Sequence, residues 1–264
     1  MEVVLITGAG TGIGAAAARL FAKSGYKVYG LARNAFDIEG VTSIVCDMGV
    51  REQIVKTVDW LIKKEGQVDI LVNNAGMGIF GASEFSDSAQ IERIMNVNFL
   101  GAVTLTNFVL PYMRSQGGGR IINTSSIGGF IPLPFQSFYS ASKAALESWA
   151  KALSVEVKPF NIKITNLQCG DVKTDFTKNR EKSKCDTKGI YSSREEVALK
   201  HIEHDEQNGM KPDIVAKAML KVIRKKHPPL NLVVGFGFRS IKLLTRVCSE
   251  RVVMGGVKIW YHIK

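Results

Sequence analysis

The chain has 264 residues, 45% of them hydrophobic and 22% charged, with a formal net charge of +11. These proportions suit one compact soluble domain of the larger kind, with a sizeable core. The four cysteines lie far apart with no CxxC pair, which argues against a zinc ribbon or a disulfide framework and fits a reducing, cytoplasmic setting, and no apolar run approaches the roughly 18 residues of a membrane span.

Along the chain, "VVLI" at residues 3–6 runs directly into a glycine-rich turn, so it reads as a structural strand and not as a signal peptide. Further short β-rich runs fall at 27–31, 43–46, 70–72, 120–124, 163–167 and 231–234, with helical spacing between most of them, as at 15–23, 51–64, 98–113 and 138–157. This alternation predicts βαβ units and an α/β fold: a doubly wound parallel sheet of about seven strands, helices on both faces, in one domain spanning 1–264. From about residue 176 to 212 the chain turns charged and poor in apolar residues. "SSREE" offers a capping-box start at Ser193 and Glu196 to a short helix there, and the segment is expected to act as a lid.

The charge is uneven. Residues 211–264 hold twelve Lys or Arg against Asp213 and Glu250, a surplus of ten, so residues 1–210 are nearly neutral. From 236 to 264 apolar and basic residues alternate as in short amphipathic helices. One reading packs the apolar stripe on the core; the other lays it in a membrane interface with the basic residues toward anionic headgroups. The first is favoured, because Gly255 and Gly256 interrupt the stripe. Nucleic-acid binding is not expected, since no recognition motif or aromatic platform accompanies the charge.

"TGAGTGIG" at 7–14 follows the first strand and opens the first helix. In that setting glycines permit a sharp turn and let the backbone approach a pyrophosphate at a helix N-terminus. The spacing is T-G-x-x-x-G-x-G. "NNAG" at 73–76, Asn98 in "NVNFLG", Ser126, and "YSASK" with Tyr139 and Lys143 follow in order. In these motifs the chain resembles the classical short-chain dehydrogenase/reductase family. "PFNIK" at 159–163 and the basic extension loosely resemble its hydroxysteroid and retinol dehydrogenase branch. The resemblance implies a Rossmann-type fold and hydride transfer between a nicotinamide and a carbonyl or secondary alcohol. It also implies a homodimer or homotetramer formed by the helices at 98–113 and 138–157. On those helices Trp149, Leu153 and Val157 recur at four-residue spacing, which suggests a second apolar face.

Residues four apart share a helix face, so Tyr139 and Lys143 point into one cleft. A free phenol titrates near ~10, and a neighbouring ammonium, with an oxidised nicotinamide, is expected to lower it by about 3 units. Ser126 is expected to hold the substrate oxygen. The family implies that Lys143 also binds the nicotinamide ribose and that Asn98 extends a proton relay through water. It implies cofactor contacts for Gly8, Gly12, Ile13, Gly14, Asn74, Tyr139, Lys143 and Thr174, and an adenine contact for Asp47. The second strand ends in "GLARN", where Arg33 stands in place of the acid that binds the ribose of NAD, so NADP is favoured. Asp37, further along, is the weaker alternative.

"QCGDVKT" at 168–174 departs from the family, with Cys169 where a proline is usual; a modification site and an inert buried thiol are both open readings. "FIPLPF" at 130–135, with Met77, Ile79 and Phe80, either lines an apolar substrate cleft or packs in the core. His201 and His204 are read as part of a solvated helix face, with no metal site expected. The alternative to an enzyme is a dinucleotide-binding sensor or scaffold, against which the complete Ser126, Tyr139 and Lys143 set argues.

Overall fold

The computed structural model describes residues 1–183, 189–235 and 237–261. Its strands are β1 (Val3–Thr7), β2 (Lys27–Ala32), β3 (Val41–Val45), β4 (Ile70–Asn73), β5 (Ile79–Phe80), β6 (Gly119–Ser126), β7 (Ile162–Cys169), β8 (Glu181–Lys182) and β9 (Asn231–Val234). Its α-helices are α1 (Gly12–Lys23), α2 (Arg51–Glu65), α3 (Ser88–Met95), α4 (Gly101–Ser115), α5 (Ser137–Glu156), α6 (Ser192–Gln207), α7 (Pro212–Ile223), α8 (Phe238–Val247) and α9 (Glu250–Trp260). Seven strands form one parallel sheet in the order β3-β2-β1-β4-β6-β7-β9, and the short β5 and β8 pair separately.

β1 is an unbroken apolar run because both of its faces are covered. Val3 and Leu5 pack in one core with Tyr29, Leu105, Met113 and Leu153, while Val4 and Ile6 pack in a second with Phe21, Val28, Val215 and Met219. α2, α4 and α5 therefore cover one face of the sheet, and α1 and α7 the other. The strand order reverses between β1 and β4, and the crevice that opens at the strand ends there is where a doubly wound sheet takes a ligand. Beneath it a ladder of buried amides crosses four strands: Asn73 donates to Asn123 at 2.9 Å, Asn123 to Asn166 at 3.0 Å, and Asn166 to Asn231 at 3.1 Å. Each strand gives up one apolar position, and the chain of amides fixes register at the edge of the site, with the Asn73 Oδ1 at its β4 end left without a partner among the described residues.

Two local expectations are corrected. α6 has sixteen residues and starts at Ser192 with Tyr191 at its N-cap; no side chain caps it, and Glu196 pairs with Lys200 at 2.7 Å, one turn on. Leu153 and Val157 are 7% and 6% exposed within the core of this one chain, and Trp149 packs against the same cluster, so they do not form a second apolar face. α3 and α4 join through one π-helical turn, Asn96–Leu100. The extra residue in that turn rotates α4 relative to α3 and turns Asn98 inward.

Candidate active site

The turn from β1 into α1 is held from the neighbouring strand. The Thr7 hydroxyl accepts the N–H groups of Asn74 and Ala75 at 2.8 and 2.9 Å, and the Asn74 amide donates back to the Thr7 carbonyl at 3.0 Å. Gly8 and Gly12 have φ of +66° and +54°, which glycine adopts without penalty. A Cβ on Gly14 would lie 2.0 Å from the Gly8 carbonyl oxygen, and one on Gly12 would press within 3.2 Å of Thr174. The N-cap Thr11 makes no side-chain capping bond, which leaves the first-turn amides of α1 for an anion. A turn that only glycines can close, with those amides beside it, fits the pyrophosphate of a dinucleotide.

A cleft of about 870 Å³ runs from this turn across the switch point. Gly8, Gly12, Ile13, Asn74 and Thr174 line it, as do Arg33 with Asn34 beyond β2 and Asp47 beyond β3. Asp37 is exposed and stands outside this lining. Asp47 turns one oxygen back to the Gly49 N–H at 2.8 Å.

Ser126, Tyr139 and Lys143 line the same cleft, with the Tyr139 hydroxyl hydrogen-bonded to Ser126. Ser126 ends β6, and its hydroxyl also accepts the Gly128 N–H at 3.1 Å. Tyr139 and Lys143 project from the first turns of α5, with the Lys143 Nζ 5.8 Å from the tyrosine ring centroid. That ammonium is 4% exposed and donates to the Thr124 carbonyl at 2.9 Å. Asn98, 1% exposed, accepts the Met77 N–H at 2.8 Å and donates to the Met77 carbonyl at 2.9 Å and the Ser142 hydroxyl at 3.0 Å. Among the described residues it makes no hydrogen bond to Lys143, although a Cβ on Gly76 would lie 3.4 Å from both side chains. Its visible task is to hold the loop after β4.

For the chain by itself, the electrostatics run opposite to the shift expected with an oxidised nicotinamide bound. Burial pushes the Tyr139 phenol up to about 12, against the pull of its hydrogen bond with Ser126. Burial likewise pushes the Lys143 ammonium down to about 8, opposed by Cys169 and Glu147. In this chain the cost of burying a phenolate outweighs the Ser126 hydrogen bond and the charge of Arg180, which favour it. Cys169 is 5% exposed and its thiol is pushed up to about 12, again by burial, so it reads as inert.

Beyond Tyr139 the walls are largely apolar. Met77, Ile131 and Leu133 line the cleft as expected of their segments, and Phe176 stands 5.6 Å from the Tyr139 ring. Ile79 and Phe80 do not line it; they are buried in β5, with Phe80 in a satellite cluster that includes Ile202 and Tyr261. His201 faces Tyr261 and contacts Asp205 at 3.2 Å, which places it in the cleft wall and not on a solvated face. His204 is exposed. Asp171 also lines the cleft, its carboxyl pushed up to about 6 by burial and by Asp205 and Glu206.

The largest feature missing from the sequence reading is the tail. Phe238, Ile241, Leu244, Val253, Trp260 and Tyr261 line the cleft from α8, α9 and the residue after them. The Phe238 and Trp260 rings stack at 6.3 Å, and a Cβ on Gly170 would come 2.1 Å from Phe238. The apolar stripe thus divides: its inner part walls the cleft, Leu244 and Val252 line it while staying 55% and 62% exposed, and Leu243, Val247 and Ile259 stand outside the lining, 62–76% exposed. Alternation of apolar and basic residues was the signal present in the sequence; nothing local said which side met the cleft.

A doubly wound sheet that sets a glycine turn and a tyrosine–lysine pair across one switch point defines a dinucleotide-binding oxidoreductase. The model of the short chain dehydrogenase family matches residues 2–184, and the chain belongs to that family. It is 41% identical over 236 residues to 3-ketodihydrosphingosine reductase of Bacteroides thetaiotaomicron, covering 89% of this chain and 88% of that one. It is 31% identical over 258 residues to human 17-beta-hydroxysteroid dehydrogenase type 1, covering 86% and 76%. The crystal structure of a short-chain dehydrogenase from Streptomyces avermitilis superposes with a TM-score of 0.82 at 28% identity, over 100% of this chain and 98% of that one.

Proposed function

We propose that the protein is an NADP(H)-dependent reductase that interconverts a carbonyl and a secondary alcohol on an apolar, lipid-like substrate. The carrying observation is the position of Tyr139: it stands in the cleft between the glycine turn, with Arg33 at its far end, and an apolar chamber roofed by α8 and α9. When bound, the nicotinamide supplies or accepts the hydride. Tyr139, held protonated at neutral pH, is poised to donate a proton to the carbonyl oxygen, and Ser126 orients that oxygen. Lys143 would hold the cofactor's ribose, with Asn98, from the π-helical turn before α4, fixing the loop after β4 beside it. Arg33 favours the 2′-phosphate, because no acid competes for the ribose at the end of β2.

A lipid substrate is supported by the apolar chamber and by relatives named for a ketodihydrosphingosine and a hydroxysteroid. We treat residues 1–264 as one domain with α6 in the lid, working in the cytoplasm, where the free thiols of Cys46, Cys169 and Cys248 would remain reduced. Oligomerisation through α4 and α5 rests on what those helices leave uncovered, chiefly Leu100 just before α4 and Val155 in α5. Peripheral membrane contact rests on the outer face of α8 and α9, where exposed Leu243, Val247 and Ile259 lie among Arg239, Arg246, Arg251 and Lys258. The test of activity is NADPH and NADH oxidation, followed by absorbance, against steroid, long-chain and short aliphatic ketones. Turnover of apolar ketones with NADPH is expected; tight NADPH binding with no turnover on the whole panel would leave the sensor reading instead.

A further inference from the structure

Glu147 is a carboxylate with 2% exposure, one turn beyond Lys143 on α5. It accepts the Ser125 hydroxyl at 2.6 Å and the Gln168 amide N–H at 2.6 Å, and Lys151 approaches at 3.9 Å from the surface. Ser125 and Gln168 face each other across β6 and β7, each one residue before the cleft residues Ser126 and Cys169. The carboxylate also lies against Gly129, where a Cβ would come within 2.7 Å of it. A buried charge is kept only when paired or fully hydrogen-bonded, and here its bonds tie two strand ends to the helix of Tyr139.

The amide oxygen of Gln168 takes a further hydrogen bond, from the Lys242 Nζ of α8, 74 positions along the chain. The same ammonium lies 5.0 Å from the Phe130 ring centroid, so it enters the interior between a carbonyl and an aromatic face. Its neighbours on α8 differ: Arg239 and Arg246 are exposed, whereas Lys242 is half-buried. Ile241 and Leu244, on either side of Lys242, line the cleft. A lysine turned inward on a basic surface helix calls for a reason, and the buried Gln168–Glu147 pair supplies one.

We propose that Lys242 is a positioning residue that latches the C-terminal helix pair onto the catalytic frame through Gln168 and Glu147. The roof of the substrate chamber and the frame of Ser126, Tyr139 and Lys143 are thereby set by one polar network. The latch defines the far end of the chamber, so it acts on long apolar substrates that reach α8 and α9 more than on short ketones that end near Tyr139.

The test compares Lys242→Met, which keeps the stem over Phe130 and removes the donor, with Lys242→Arg, which keeps a charged donor. Hydrogen exchange on the intact protein reads the latch without turnover. In the methionine variant the amides of 238–261 should lose protection by about tenfold to a hundredfold, the effect of one charge-assisted hydrogen bond, and arginine should restore most of it. On enzyme saturated with NADPH, the KM of a long-chain ketone should rise by a factor at least several times that of a short one. Glu147→Gln combined with Lys242→Met should be strongly non-additive in the exchange readout. Unchanged exchange in 238–261 for Lys242→Met, equal losses for Met and Arg, or additive effects would each overturn the latch. The KM comparison rests on the reductase reading, but exchange does not. A protein inactive on every ketone yet loosened by Lys242→Met would retain the latch and lose the proposed function.

Discussion

Lys143 is held in a charged form that the fold disfavours, so removing it should stabilise the protein while disabling it. Its ammonium titrates near 8 in the folded chain against 10.5 for the free group, with burial the first cause. A folded pKa below the unfolded one means that the unfolded state binds more protons between those values. Stability should therefore rise with pH from about 8 to 10.5, and the full penalty is present below 8. The difference of about 2.5 units corresponds to roughly 3 kcal/mol at pH 7. The charge-assisted bond to the Thr124 carbonyl would be lost with the ammonium, returning about 2 kcal/mol, so Lys143→Met should gain on the order of 1 kcal/mol. Roughly all of that advantage should vanish by pH 9, as the wild-type lysine sheds its proton on folding. Urea unfolding of both cofactor-free proteins at pH 7 and 9 measures this directly. A methionine variant less stable than wild type at pH 7, or an advantage that does not shrink by pH 9, would refute the argument.

Tyr139→Phe removes one hydroxyl from a packed ring and should lower kcat by about 10²–10⁴-fold with unchanged NADPH affinity; a rate above a tenth of wild type on a substrate limited by chemistry would clear Tyr139 of proton transfer. Arg33→Ala should weaken NADPH binding by about tenfold to a hundredfold and leave NADH unaffected, because only one carries the phosphate; equal effects in titrations with both would place Arg33 outside the site. Co-sedimentation should show binding to anionic vesicles at low salt, released by high salt and absent with neutral vesicles; no binding to anionic vesicles would remove the membrane reading of α8 and α9. Light scattering at micromolar concentration should give a multiple of the 29.0 kDa chain mass, and a monomer would remove the oligomer.

The frame of the fold was legible because its signals are local. All seven strands of the main sheet fall where short β-rich runs alternate with helical spacing, from β1 at Val3–Thr7 to β9 at Asn231–Val234. The glycine turn and the Tyr139–Lys143 pair were equally plain, since each needs only a few neighbouring residues to state its geometry. The capping-box expectation at Ser193 and Glu196 failed for the converse reason: a short pattern with an alternative partner, Lys200, does not decide which residue begins a helix.

What the sequence alone determined is therefore the class of fold and the chemistry on offer: a parallel α/β sheet, a turn for a pyrophosphate, and a serine, tyrosine and lysine at fixed spacing. Tertiary structure alone decided how that chemistry is held. It turned Asn98 inward through a π-helical turn, buried Leu153 and Val157 in the core, and strung Asn73, Asn123, Asn166 and Asn231 across four strands. It also brought α8 and α9 over the cleft and Lys242 to Gln168. The direction of each pKa shift belongs to the same class. Helical period and motif spacing act within a few residues, whereas burial and desolvation sum over every segment that closes around a group, and those segments meet only in the folded chain.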